Sequence, residues 1–151
     1  MGKFTDDPVR LIAKSDVALL QFEDAIRLFL ERRYISAITL AGAADAIFCG
    51  IIEESGGKAP ADMAWAEIEQ LRSLGIRMAG TTTKKEAFKE WNATRNRLKH
   101  HDKEKDEPIL EIFEIDQSYM WIERARHSAK ILELEPANLF DLENRVIPWF
   151  F

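Results

Sequence analysis

An arginine, Arg95, stands close in the sequence to two imidazoles, those of His100 and His101. Four residues separate Arg95 from His100, and five separate it from His101. Histidine exchanges protons near neutral pH, and arginine binds anionic oxygens through a planar set of donors. Cleavage of RNA by its own 2′-OH needs a proton acceptor and a fixed cation, and it needs no metal. The side chains of this segment therefore suit chemistry on a phosphodiester.

Arg95 occupies an unusual position for a charged residue. At about 100° per residue, Phe88, Trp91 and Leu98 define the apolar face of a helix, and Arg95 lies near the middle of that face. An unpaired guanidinium directed at a core costs several kcal/mol. Arg95 must therefore be paired or border a polar cleft.

Asp45 poses the same question with the opposite charge, because it lies in a helix made mostly of Ala, Ile and Phe. The simplest answer is that Asp45 and Arg95 meet or share one polar cleft. The alternatives are that Arg95 reaches solvent or makes a purely architectural ion pair with a carboxylate.

The distribution of charge favours one basic surface on an acidic protein. The chain has a formal net charge of −5, yet residues 84–105 contain eight Lys and Arg against four Asp and Glu. A basic strip of this kind attracts a polyanion, and Lys89, Arg97 and Lys99 are its candidate RNA-binding residues. The alternative is an ordinary solvated helix face with alternating charge.

The periodicity of apolar residues predicts one all-α domain over residues 1–151, a bundle of four to five main helices. Capping residues and glycines mark the helix ends. The predicted helices run from residue 15 or 16 to residue 32 or 33, from 34 to 54, from 62 to 74, from 83 to about 101, and from 116 to 135. A short sixth helix follows Asn138.

Two apolar segments are harder to assign. Residues 108–115 fit an extended segment or the approach to a helix, and periodicity does not decide between them. Residues 146–151 form an uncharged aromatic tail, which should pack on its own domain or on a second subunit.

Composition limits the compartment and the cofactors. A single cysteine, Cys49, suits a reducing compartment, and the N-terminal residues lack the apolar core of a secretory signal. The apolar residues 37–52 fall short of a membrane span and include Asp45. The three histidines and one cysteine show no metal-binding spacing. We therefore expect a cytoplasmic protein without a metal or another cofactor.

The run Arg95-Asn96-Arg97-Leu98-Lys99-His100 resembles the signature of HEPN domains, in which arginine is followed by a polar residue and then by histidine four to six positions beyond the arginine. The Ala- and Gly-rich residues 36–45 are similar to those of small bacterial proteins of this type. The resemblance covers roughly residues 34–102.

The resemblance implies a helical bundle, commonly dimeric, and a metal-independent endoribonuclease of the toxin or defence type. It makes Arg95 and His100 the catalytic pair, Asn96 an orienting residue and His101 a substitute for His100, with weaker support for Asp45. It also implies an antitoxin-like protein partner. The alternatives are a catalytically silent module that binds nucleotide, RNA or protein, and an adaptor that dimerises through its apolar tail.

A straight helix places Arg95 and His100 roughly 140° apart, so the two side chains do not converge on one phosphate. Two arrangements would bring them together. Two copies of the helix can meet across a twofold axis and form a composite cleft, or the helix can loosen near His100.

Overall fold

The computed structural model describes residues 9–76 and 83–150, the last five of them by their backbone only. Every regular element in these two ranges is a helix, which confirms the all-α prediction. The predicted count of four to five main helices and a short sixth is not confirmed. These ranges contain seven helices: α1 Lys14–Leu30, α2 Tyr34–Glu54, α3 Pro60–Ser73, α4 Lys84–Trp91, α5 Ala93–Lys99, α6 Glu114–Ile131 and α7 Leu139–Phe150.

Helix α2 lies at the centre of the bundle and packs along its length against α1 and α6. The largest side chains of this core are fully buried; they include Phe22, Phe48 and Trp121. Small residues of α2, such as Ala41 and Gly42, are buried between its neighbours, because their size lets another helix approach closely. The sequence prediction that this Ala- and Gly-rich helix lies deep in the bundle is confirmed.

Several helix ends lie where local sequence signals predict them. Helix α2 has the predicted bounds, and Gly56 and Gly75 follow their helices with φ of 82° and 78°, which residues with a side chain rarely adopt. Thr83 and Glu86 form the predicted capping box at the start of α4.

The helix predicted from Thr83 to about residue 101 is wrong in detail. It is interrupted at Asn92, whose φ of −100° and ψ of −2° depart from helical values, so α4 and α5 are separate helices. Helix α5 ends at Lys99. The long helix expected from Asp116 begins earlier, at Glu114, with Phe113 as its N-cap.

The two unassigned segments have different outcomes. Residues 108–113 form a loop, and the next helix begins at Glu114, so this segment is not a strand. The backbone of α7 is helical through Phe150. The packing predicted for the aromatic tail, residues 146–151, concerns side chains outside the described residues.

Helix α2 is long and apolar enough, by length and composition, to cross a membrane. The central helix of a bundle has the same length and composition, and the structure packs α2 between α1 and α6. With the predicted bounds, Tyr34–Glu54, the helix extends beyond the apolar stretch of residues 37–52 at both ends.

Candidate functional site

Arg95 lies in α5 with its aliphatic stem packed directly on Gly42 of α2. A Cβ atom added to Gly42 would lie 2.5 Å from Cδ and 2.8 Å from Cγ of Arg95. Distances this short do not occur between packed carbon atoms, so only glycine leaves room for the stem. Gly42 therefore sets where the guanidinium of Arg95 lies.

The guanidinium of Arg95 is one of two that lie against the indole of Trp121. The Cζ atom of Arg95 is 5.1 Å from the ring centroid, and that of Arg124 is 4.0 Å from it. Trp121 has no exposed surface. Cation–π contacts of this kind hold a guanidinium in place without neutralising its charge.

Asp45 is buried and its carboxylate is occupied by groups on α2 and α6. Ser128 donates a hydrogen bond of 2.7 Å to Oδ1, and the Cys49 thiol donates a longer one, of 3.6 Å, to the same oxygen. Nη2 of Arg124 lies 3.5 Å from Oδ2, while Nη1 donates to the carbonyl oxygen of Trp91 at 3.1 Å. The ion-pair partner of Asp45 is thus Arg124 and not Arg95.

Asp45 and Arg95 nevertheless line one cleft. Of the two predicted arrangements, direct contact or a shared polar cleft, the structure shows the shared cleft. The cleft has a volume of about 300 Å³ and is also lined by Asn92, Arg124 and Phe88. We call it the Arg95 cleft. Among the described residues, Arg95 has no carboxylate within 4.0 Å. The structure therefore does not show the architectural ion pair that was one alternative predicted for Arg95.

Polar groups of the Arg95 cleft are incompletely paired. Nε of Arg95 and Oδ1 of Asn92 are buried and have no hydrogen-bond partner among the described residues, and the same holds for Nε1 of Trp121. Buried polar groups without a partner are rare in folded proteins and are often found at functional sites.

The charges around the cleft act on the pKa of Arg124. Burial lowers the pKa of Arg124, Asp45 opposes that change, and the positive charge of Arg95 lowers the pKa further. Asp62, another lining residue, is paired with Lys84 at 2.7 Å, and Glu53 is exposed to solvent. Of the two guanidiniums, only that of Arg124 is paired with the buried carboxylate of Asp45, and the charge of Arg95 acts on it from nearby.

The two histidines lie outside the Arg95 cleft. His100 follows the end of α5 in extended conformation, with φ of −130° and ψ of 149°. His100 and His101 are exposed, and with Arg97 and Lys105 they line a separate cleft of about 340 Å³, which we call the histidine cleft. Within one chain, Arg95 and His100 are not brought together. Helix α5 does end before His100, as in the predicted arrangement in which the helix loosens there, but this does not bring His100 to Arg95.

The remaining predicted residues are distributed over the surface. Lys89, Asn96 and Lys99 are exposed and line neither cleft, whereas Arg97 lines the histidine cleft. Sequence reasoning missed Arg124, Trp121 and Ser128, all on α6. The one sequence feature that points to them is the charged Arg124, three positions after Trp121 on a helix whose apolar face was predicted.

Cys49 is the titratable group whose pKa is most clearly changed at this site. Burial, followed by the negative charge of Asp45, raises the pKa of its thiol from 9.0 to about 11. We expect iodoacetamide at pH 8 to alkylate Cys49 about 100-fold more slowly in the folded protein than in the denatured chain, because the thiolate reacts and the thiol does not. Mass spectrometry of timed samples measures both rates.

The raised pKa also predicts the direction of the pH dependence of stability. The folded chain holds this proton more tightly than the unfolded chain does, so the contribution of Cys49 is fully present below pH 9 and is lost as the pH rises through about 11. Equal alkylation rates in the folded and denatured protein would contradict this environment for Cys49.

Among the described residues, no three His, Cys, Asp or Glu side chains are grouped closely enough to hold a metal ion. Comparison with known proteins gives no match: no family model fits the chain, and neither a curated protein nor a solved structure is significantly similar to it.

Proposed function

We propose that this protein is a metal-independent endoribonuclease of the HEPN type, in which Arg95 binds the scissile phosphate and His100 accepts the proton of the 2′-OH. The observation that carries the proposal is the position of Arg95. Its stem packs on Gly42, and its guanidinium lies against Trp121, borders an open cleft and has no carboxylate partner among the described residues.

A fixed and unneutralised cation is what stabilisation of a charged transition state requires. Because the stem of Arg95 is packed on Gly42 and its charged end on Trp121, the guanidinium does not have to reorganise when negative charge develops on a phosphate. An ion pair with a carboxylate would cancel much of this effect. Asp45 is instead occupied by Arg124 and Ser128.

The histidine is supplied in this proposal by a second copy of the chain. In a twofold dimer, the partner subunit's His100 would face the Arg95 cleft of the first subunit. Apolar side chains that line the histidine cleft favour such an interface, since Ile109 is 85% exposed and Leu110 is 37% exposed. Lys89, Arg97 and Lys99 are exposed and would attract the RNA backbone.

A second candidate function is a catalytically silent HEPN-type module that binds nucleotide or RNA in the Arg95 cleft. It is favoured by the separation of the two clefts within one chain, because binding of a phosphate group requires Arg95 alone. In both cases we place the protein in the cytoplasm, and for the nuclease we also expect an antitoxin-like protein partner.

Incubation of the purified protein with a labelled single-stranded RNA in excess EDTA tests the proposal. We expect cleavage of the RNA and none of a DNA of the same sequence, because the nucleophile is the 2′-OH. Binding measured by fluorescence anisotropy on the same RNA separates the candidates. Binding without cleavage supports the silent module, and the absence of both contradicts the nuclease and a silent module that binds RNA.

A further inference from the structure

We infer that Arg124 is a second cationic ligand of this site and that the Arg95 cleft binds a dianionic phosphate group between the two guanidiniums. The role of this group in RNA cleavage rests on the proposed function. The binding of the dianion does not, and it is tested separately below.

The geometry places the two arginines on one surface. Arg95 from α5 and Arg124 from α6 both line the cleft, and the Cζ atoms of both lie within 5.1 Å of the centroid of the Trp121 ring. The side chain of Arg124 retains 22% exposure. Its donors to Asp45 and to the carbonyl oxygen of Trp91 use only part of its five N–H groups.

Asp45, Glu53 and Asp62 all line the cleft, but among the described residues only Asp45 lies within 4.0 Å of either guanidinium. Asp45 lies 3.5 Å from Nη2 of Arg124, a long distance for an ion pair, and its Oδ1 atom accepts from Ser128 and Cys49. The mutual repulsion of the guanidiniums contributes to the lowered pKa of Arg124. A ligand with two negative charges would remove this repulsion, whereas a neutral ligand would leave it unchanged.

The reaction proposed for this site generates such a charge. The proton of the 2′-OH passes to histidine, the 2′-oxygen forms a bond to phosphorus, and the bond from phosphorus to the 5′-oxygen breaks. The departing 5′-oxygen then takes a proton from the protonated imidazole, which leaves a 2′,3′-cyclic phosphate. At the pentavalent stage the phosphate carries about two negative charges. Two guanidiniums therefore favour this stage over the singly charged diester.

Titration calorimetry with adenosine 5′-monophosphate and with adenosine tests the binding directly, because the nucleotide carries a charge of about −1.5 to −2 at neutral pH, as other phosphate monoesters do. We expect the nucleotide to bind and adenosine not to bind. Arg124→Gln and Arg95→Gln should each weaken the affinity at least about 10-fold. The control is Arg126→Gln, the same change two residues along α6, where the arginine pairs with Glu143 at 2.6 Å.

Arg124→Lys covers the case in which Arg124→Gln does not fold, since lysine keeps the charge but not the planar set of donors. We expect it to fold and to bind the nucleotide with intermediate affinity. Equal affinity of wild type, Arg124→Lys and Arg95→Gln, or equal binding of adenosine and its monophosphate, would overturn the inference. Cleavage of RNA without nucleotide binding would overturn the inference and leave the proposed function intact. Nucleotide binding without cleavage of RNA would contradict the proposed nuclease and leave the inference intact.

Discussion

Replacement of Arg95 by alanine is expected to lower the rate constant for RNA cleavage about 100- to 1,000-fold, the usual effect of removing one fixed donor from a charged transition state. His100→Ala is expected to lower it about 100- to 10,000-fold through loss of the proton acceptor. Single-turnover cleavage in EDTA measures both changes. The fold should persist, because Arg95 has no ion pair among the described residues and His100 is exposed.

Matched controls come from residues of the same types elsewhere in the chain. His127 lies on α6 outside both clefts, and Arg27 is exposed and pairs with Asp24 and Glu31, so alanine at either position should leave cleavage unchanged. His101→Ala tests the neighbouring imidazole as the substitute for His100. If Arg95→Ala and His100→Ala cleave as fast as the wild type, the assignment of this pair is refuted.

Gly42→Ala is the substitution with the next largest expected effect, and it adds only one methyl group. The added Cβ would lie 2.5 Å from Cδ of Arg95, so the stem must leave its place on α2 and carry the guanidinium out of position. We expect cleavage to fall between about 10- and 100-fold, because displacement of about 1 Å at a catalytic group has effects of this size. The same displacement should weaken binding of adenosine 5′-monophosphate.

Stability should change much less than activity in this variant. Alanine gains about 1 kcal/mol over glycine within a helix, which offsets part of the roughly 1–3 kcal/mol that overpacking costs. Gly50→Ala on the same helix is the control for stability alone, because Gly50 also lines the Arg95 cleft. A Cβ there meets no atom within 4 Å, and the change should stabilise the protein by about 0.5–1 kcal/mol. Wild-type cleavage by Gly42→Ala would show that Gly42 does not position Arg95.

Much of the fold follows from local features of the sequence. The bounds of α2, the glycines after α2 and α3, and the capping box at Thr83 depend on residues within one or two turns, and all were predicted. The interruption at Asn92 was not, because no glycine or proline marks it and the amide of Asn96 still donates to the carbonyl oxygen of Asn92. A contact from a distant part of the chain is made at this point, where Arg124 donates to the carbonyl oxygen of Trp91 at 3.1 Å.

The site was predictable only in part for the same reason. Charged residues in apolar surroundings pointed to Asp45 and Arg95, and the two share a cleft. The partners of Asp45 come from α6, and Ser128 is 83 positions away along the chain. Which side of α6 packs against α2 depends on the packing of the whole core. No local sequence pattern could therefore identify Arg124 as the ion-pair partner of Asp45.

The central claim is that the RNA supplies its own nucleophile to a phosphate held at Arg95, and one deoxyribose tests it most directly. The cleavage site is first mapped on a labelled RNA in EDTA. The ribose whose 3′-oxygen carries the scissile phosphate is then replaced by 2′-deoxyribose. We predict that cleavage at this position disappears, and that the unmodified RNA yields a 2′,3′-cyclic phosphate end. Continued cleavage at the deoxyribose, or products with a 3′-hydroxyl end, would contradict the mechanism.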